Sequence, residues 1–103
     1  MTDRTLLDAE EVAGAELDGW ALRDDALLTR LVTPAYAVGL ELVARIGAAA
    51  EAANHHPDLD LRYGHLDVRL SSHDAGGVTR RDVDLARTID AIAAELGAEA
   101  RPG

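Results

Sequence analysis

The sequence predicts an α+β fold, in the order α-β-β-α-β-β-α, with a four-stranded antiparallel sheet and helices packed on one face. Three observations lead there. Leu59, Leu61 and Tyr63 alternate with Asp60 and Arg62, and beyond a Gly64-His65 turn Leu66, Val68 and Leu70 alternate with Asp67, Arg69 and Ser71. That is a hairpin with one apolar face and one wet face. Residues 33–53 and 79–96 carry apolar side chains at spacings of three and four, the period of an amphipathic helix. A less regular pair of strands, ahead of the first long helix, repeats the β-β-α outline once.

Taken in order, Asp8 with Glu11 forms a capping-box start for a short helix running to about Leu17 and stopping near Gly19. Trp20 and Leu22 alternate with small or polar residues, Asp24-Asp25 makes a turn, and Leu27 to Val32 reads as the partner strand. Thr33-Pro34 looks like a helix opening, a capping hydroxyl followed by proline at the first helical position. That helix continues to about Ala53, with Tyr36, Leu40, Val43, Gly47 and Ala50 on one buried stripe widened by Leu42, Ile46 and Ala49. The small residues from Gly47 to Ala50 leave room for a sheet or a second chain to approach. His73 to Gly77 is a loop. Thr79 caps the last helix, which runs to about Leu96 and is closed by Gly97 and the Arg101-Pro-Gly tail.

Composition narrows the functional classes. The 103 residues suit one domain, 1–103, and the absence of Phe leaves core volume to Leu, Val, Ile and many Ala. A formal charge of −9 argues against partners with anionic backbones or surfaces, so neither nucleic acid nor membrane is expected. No Cys means no disulfide framework and no thiolate chemistry. The first residues lack a basic stretch followed by an apolar one, and the longest apolar run carries Glu41 and Arg45. A cytoplasmic protein is expected.

The chemistry concentrates in Glu51-Ala-Ala-Asn-His-His-Pro57. Pro57 disfavours helical geometry at His56, so the helix must end at or before the pair and present both imidazoles in a stiff turn. Glu51 stands one helical turn before His55. Histidine gives or takes a proton near neutrality without help, which suits acid–base work. His73 ends a strand-like run, where it reads equally as a surface residue. Asp82 completes a capping box with Thr79, yet it also lies one turn before Leu85 and Ala86 on the apolar face, where an inward carboxylate needs a partner. His65 reads as a solvated turn residue, and Tyr63 and Trp20 as core or pocket wall. The ligand types also suit a zinc or non-haem iron site, although no recognised metal-ligand spacing is present.

Glu51, His55-His56-Pro57, Tyr63, His73 and Asp82, with the run Leu70-Ser-Ser-His-Asp-Ala-Gly-Gly-Val-Thr79, resemble the pterin-4a-carbinolamine dehydratases over nearly the whole chain. Leu59 stands where many members have Trp, and Tyr36 and its neighbours replace a Phe-rich stretch. The resemblance implies a hydro-lyase acting in tetrahydropterin recycling. It would remove water from 4a-hydroxytetrahydropterin to give quinonoid dihydropterin, without metal or cofactor. It implies His55 and His73 as proton-transfer residues on two sides of the pterin, and His56 as the orienting residue. Asp82 would set a histidine's tautomer, and Glu51, Pro57 and Tyr63 would complete the substrate site. It also implies a homodimer or homotetramer, and an aromatic amino-acid hydroxylase in the same pathway. A non-catalytic dimerisation or assembly factor of the same fold is the alternative reading.

Overall fold

In the computed structural model, which describes residues 4–103, the alternating stretch folds as strands β3 (Asp58–Arg62) and β4 (His65–Leu70). The turn between them is Tyr63-Gly64, one residue earlier than the spacing suggested, so His65 opens β4 instead of lying in the turn. The less regular pair forms β1 (Ala21–Arg23) and β2 (Ala26–Val32). Asp24 and Asp25 both take positive φ, 52° and 60°, as a two-residue hairpin turn with the twist of its strands requires. Three helices complete the expected order: α1 (Ala9–Gly14), α2 (Tyr36–Ala53) and α3 (Arg80–Leu96). The α+β architecture with an antiparallel sheet and helices on one face is therefore the observed one.

The sheet has five strands, in the order β1-β2-β4-β3, with a fifth strand β5 (Glu99–Pro102) paired to β2. Gly97 closes α3 in the left-handed region, φ 75°, and turns the chain back onto β2. β1 occupies the first residues of that edge of β2, Ala26 to Leu28, and β5 the remainder, Thr29 to Val32. The segment read as a mere tail thus covers an otherwise open strand edge. Close approach is needed there: a Cβ on Gly19 would lie 2.7 Å from that of Ala100.

Leu27, Leu31, Leu66 and Leu70 from the sheet meet Leu42, Ile46 and Ile89 from the two long helices, all fully buried. Burying each such side chain contributes about 1.5–3 kcal/mol, so this shared layer fixes how α2 and α3 lie on the sheet. The stripe of α2 differs from the expected one. Gly39, Leu42, Ile46 and Ala50 face the core, whereas Tyr36 and Leu40 point outward and are about half exposed. The glycine of close approach is Gly39, where a Cβ would lie 2.7 Å from Leu61, while a Cβ on Gly47 would meet nothing.

The start of α2 is also later than expected. Thr33 continues the extended chain of β2, its amide donating to Gly64 O at 2.9 Å, and Ala35 is the cap residue without any side-chain bond. Sheet pairing outcompetes the capping geometry, and the buried Thr33 hydroxyl has no partner among the described residues. Both capping boxes expected elsewhere are present, Asp8 with Glu11 and Thr79 with Asp82. Among the described residues, no helix is long and apolar enough to cross a membrane.

Candidate active site

α2 ends where the sequence requires it to. Asn54 takes the left-handed conformation, φ 50°, and caps the helix, so His55, His56 and Pro57 lie beyond it and lead directly into β3. This break separates the fates of the two imidazoles. His55 turns inward and is 8% exposed; His56 stays exposed. It also changes the partner of Glu51. Helical spacing would put Glu51 beside His55, but past the left-handed residue the chain carries His56 to it instead. That pair is solvent-exposed on both sides and worth little to stability, about 0–1 kcal/mol.

The inward imidazole meets the inward carboxylate. His55 Nε2 lies 2.5 Å from Asp82 Oδ1, and Asp82 is completely buried. The other carboxylate oxygen, Oδ2, accepts from the Ser72 hydroxyl at 2.7 Å and from the Thr79 amide at 2.8 Å. Asp82 is therefore both the capping-box partner of Thr79 and the partner of a histidine; the two readings of its position are compatible. A buried carboxylate needs this number of donors, because an unpaired charge there would cost several kcal/mol. As a carboxylate it only accepts, so Nε2 carries the ring proton and Nδ1 is the basic nitrogen of neutral His55.

His73 occupies the turn immediately after Ser72 and is exposed. An isolated bridge between Ser72 and Gly77 pins the base of this turn. Its flank is held electrostatically: Asp74 accepts from Arg81 at 2.7 Å and from Arg4 at 3.2 Å. The Arg81 guanidinium beside Asp74 holds its carboxyl below the usual carboxylate range.

A pocket of about 270 Å³ opens at the end of α2, between His55, Ala49 and Ala53 on one side and Arg81, Asp84, Leu85 and Thr88 of α3 on the other. Arg81 lines this wall while its guanidinium donates to Asp74, and its buried Nε–H has no acceptor among the described residues. A larger concavity, about 830 Å³, lies on the wet face of the sheet and contains His65 but neither His55 nor His73. Its arginines are paired, Arg30 with Asp67 at 2.8 and 3.0 Å for example, and of the three candidate histidines only His55 lines either pocket, the smaller one. Among the described residues, no three His, Cys, Asp or Glu side chains come together as a metal-holding group.

Residues 5–92 match the family model described as Pterin 4 alpha carbinolamine dehydratase. The chain belongs to that family. It is 41% identical over 90 residues to a Nocardia farcinica protein provisionally named a pterin-4-alpha-carbinolamine dehydratase, covering 85% of this chain and 95% of the relative. A similarly named protein from Mycobacterium sp. (strain KMS) is 41% identical over 85 residues, covering 82% and 90%. Among solved structures, a transcriptional coactivator/pterin dehydratase from Brucella melitensis superposes with a TM-score of 0.82 at 31% identity, covering 86% of this chain and 99% of that one. A pterin dehydratase-like protein identified as a RuBisCO assembly factor in the alpha-carboxysome shares the fold, with a TM-score of 0.60 at 17% identity and coverage of 72% and 86%.

Within this pterin carbinolamine dehydratase fold, the residues singled out from sequence separate into two groups. His55 and Asp82 are in contact, His73 follows a residue that touches Asp82, His56 and Pro57 adjoin His55 in the same turn, and Glu51 reaches His56 from the last turn of α2. Tyr63 does not join them: it stands in the β3–β4 turn, at the opposite end of that hairpin, and is 88% exposed. It is neither core nor pocket wall within one chain, because a turn residue escapes the alternation that would have aimed it inward. Trp20 is core, with its indole N–H donating to Asp90 at 2.8 Å. Sequence reasoning missed Ser72 and Arg81. Arg81 is adjacent to Asp82 in a helix and so was legible as a neighbouring cation; Ser72 reaches Asp82 only through the folded loop.

Proposed function

We propose that this member of the family dehydrates 4a-hydroxytetrahydropterin to the quinonoid dihydropterin by histidine acid–base catalysis. The observation that carries the reading is the buried His55–Asp82 pair beside a pocket that His55 and Arg81 both line. The elimination needs one group to protonate the departing 4a-hydroxyl and another to take a proton from a ring nitrogen; the C–O electron pair leaves with water as the ring N–H pair forms the C=N bond. His55, with Nε2 bound to Asp82, exchanges protons through Nδ1. His73, from the pinned turn, serves the opposite side of the flat heterocycle. His56, oriented by Glu51, and Arg81 bind polar edges of the pterin. The site residues are thus His55, His73, His56 and Asp82 for proton transfer and orientation, with Glu51, Pro57 and Arg81 contacting substrate.

The proposal extends to assembly. Tyr36 and Leu40 on the outer face of α2, with Tyr63 in the hairpin turn, leave large apolar surface uncovered, and β3 is an open sheet edge. A second copy of the chain, in a homodimer or homotetramer, is the expected cover, and Tyr63 reaches a substrate only in such an assembly. A dehydration assay on chemically generated 4a-hydroxytetrahydropterin tests the activity. Enzyme-dependent loss of the carbinolamine above the spontaneous rate supports it; a rate equal to buffer alone rejects it.

A further inference from the structure

Asp82 can face His55 in one orientation only if something other than His55 holds the carboxylate. The backbone amide of Thr79 supplies one bond to Oδ2, at 2.8 Å, but a single bond leaves the group free to turn about it. The second bond to the same oxygen comes from Ser72, 2.7 Å away, and Ser72 is itself almost completely buried. We propose that Ser72 is a positioning residue of this site, a hydroxyl that stops Asp82 from turning away from His55, so that the ring keeps its acceptor at Nε2 and is held as the tautomer protonated there.

The proton inventory of the cluster supports this role. Ser72 has one hydroxyl hydrogen, and it goes to Asp82 Oδ2. Ser72 Oγ also lies 2.9 Å from Thr79 Oγ1, so in that contact Thr79 must be the donor. Thr79 Oγ1 in turn accepts from the Arg81 amide at 3.2 Å, as the helix cap. The chain of donors therefore runs from the Arg81 amide to Thr79, from Thr79 to Ser72, from Ser72 to Asp82, and each buried polar atom along it is satisfied. Reversing any one member would leave a buried hydroxyl proton without an acceptor. Such a one-way chain transmits the fixed backbone of the α3 N-terminus to the His55 ring. Ser72 also carries the bridge to Gly77, so the residue that orients Asp82 is the one from which the His73 turn departs.

The role rests on the dehydratase reading for its catalytic meaning, but the tautomer of His55 can be measured without substrate. Ring-nitrogen NMR of the full chain distinguishes Nε2–H from Nδ1–H imidazole. Ser72→Ala is compared with Ser71→Ala, a matched loss of hydroxyl from the neighbouring residue, whose Oγ donates to Asp25 O at 2.9 Å and touches nothing in the cluster. In the wild type and in Ser71→Ala, His55 is expected as one Nε2–H tautomer; in Ser72→Ala, both tautomers are expected, with kcat for dehydration lowered about 10-fold and KM little changed. An unchanged His55 spectrum in Ser72→Ala overturns the proposal, as does an equal change in Ser71→Ala, which would mark a general loosening. If Ser72→Ala mixes the tautomers while the wild type fails to dehydrate the pterin, the positioning role stands and the assigned reaction falls.

Discussion

A carboxylate that accepts three hydrogen bonds leaves no room for an amide in its place. In Asp82→Asn the amide oxygen still takes the Thr79 and Ser72 donors, so the NH2 faces His55 Nε2, which must then accept. The ring proton moves to Nδ1, and the basic nitrogen is then Nε2, already occupied by the amide. Turnover should fall about 10²-fold or more, while the surviving cap limits the stability loss to about 0.5–2 kcal/mol. Melting temperature and activity measured on one sample separate these effects; full activity would contradict the assigned role. His73 poses the opposite case. It is exposed, so His73→Ala should change stability by less than about 0.5 kcal/mol, yet lower turnover about 10²-fold. Unaltered turnover would remove His73 from the proton-transfer set. The His55–Asp82 contact was legible because a charged residue on an apolar helix face demands a partner. The exchange of Glu51 from His55 to His56 was not, since it depends on one left-handed residue, Asn54.

Between elements, two carboxylates respond to pH in opposite senses. Asp74 joins the His73 turn to α3 through Arg81 and to the N-terminal segment through Arg4, and the Arg81 hydrogen bond holds its carboxyl below the usual range. Its contribution is therefore fully present above the unfolded carboxylate pKa and is lost as pH falls through the lower folded value. Acidification should loosen the turn, seen as a lower hydrogen-exchange protection factor at the Leu7 amide, which is bonded to Val78 O at 2.9 Å; Asp74→Asn should show that lower protection already at neutral pH. Asp90 on α3 is pushed up by burial, against the lowering effect of the Trp20 indole N–H. Its favourable contribution belongs to the protonated form, present below the unfolded pKa and lost as pH rises through the folded one. Asp90→Asn keeps an acceptor for Trp20 and should melt at the same or a higher temperature at pH 7. A lower melting temperature would contradict this. Hairpins and long helices were legible at this scale from periodicity and caps. The end of β2 was not, because Thr33-Pro34 has the form of a helix start and only pairing with Gly64 decides otherwise.

At the scale of the whole molecule, local signals run out where distant segments meet. β5 has four residues, one of them proline, and pairs with a strand some 70 positions earlier; nothing in Glu99–Pro102 itself announces a strand. The two faces of α2 are a similar case. Apolar residues cover more than half its circumference, and only the position of the sheet selects Gly39, Leu42, Ile46 and Ala50 for the core. What remains outside, Tyr36 and Leu40, leads to the expectation of self-association. Light scattering at micromolar concentration should give a multiple of the 10.9 kDa chain mass, and Leu40→Glu should reduce it while leaving the fold intact, since Leu40 is 52% exposed. A wild-type mass of one chain would contradict the assembly. Dehydration of a pterin carbinolamine by a buried histidine–carboxylate pair is measured by the decay of 4a-hydroxytetrahydropterin with wild type and His55→Ala side by side. Catalysis well above the spontaneous rate in the wild type, reduced about 10²-fold or more in a folded His55→Ala, is the predicted result; equal rates for the two proteins would contradict it.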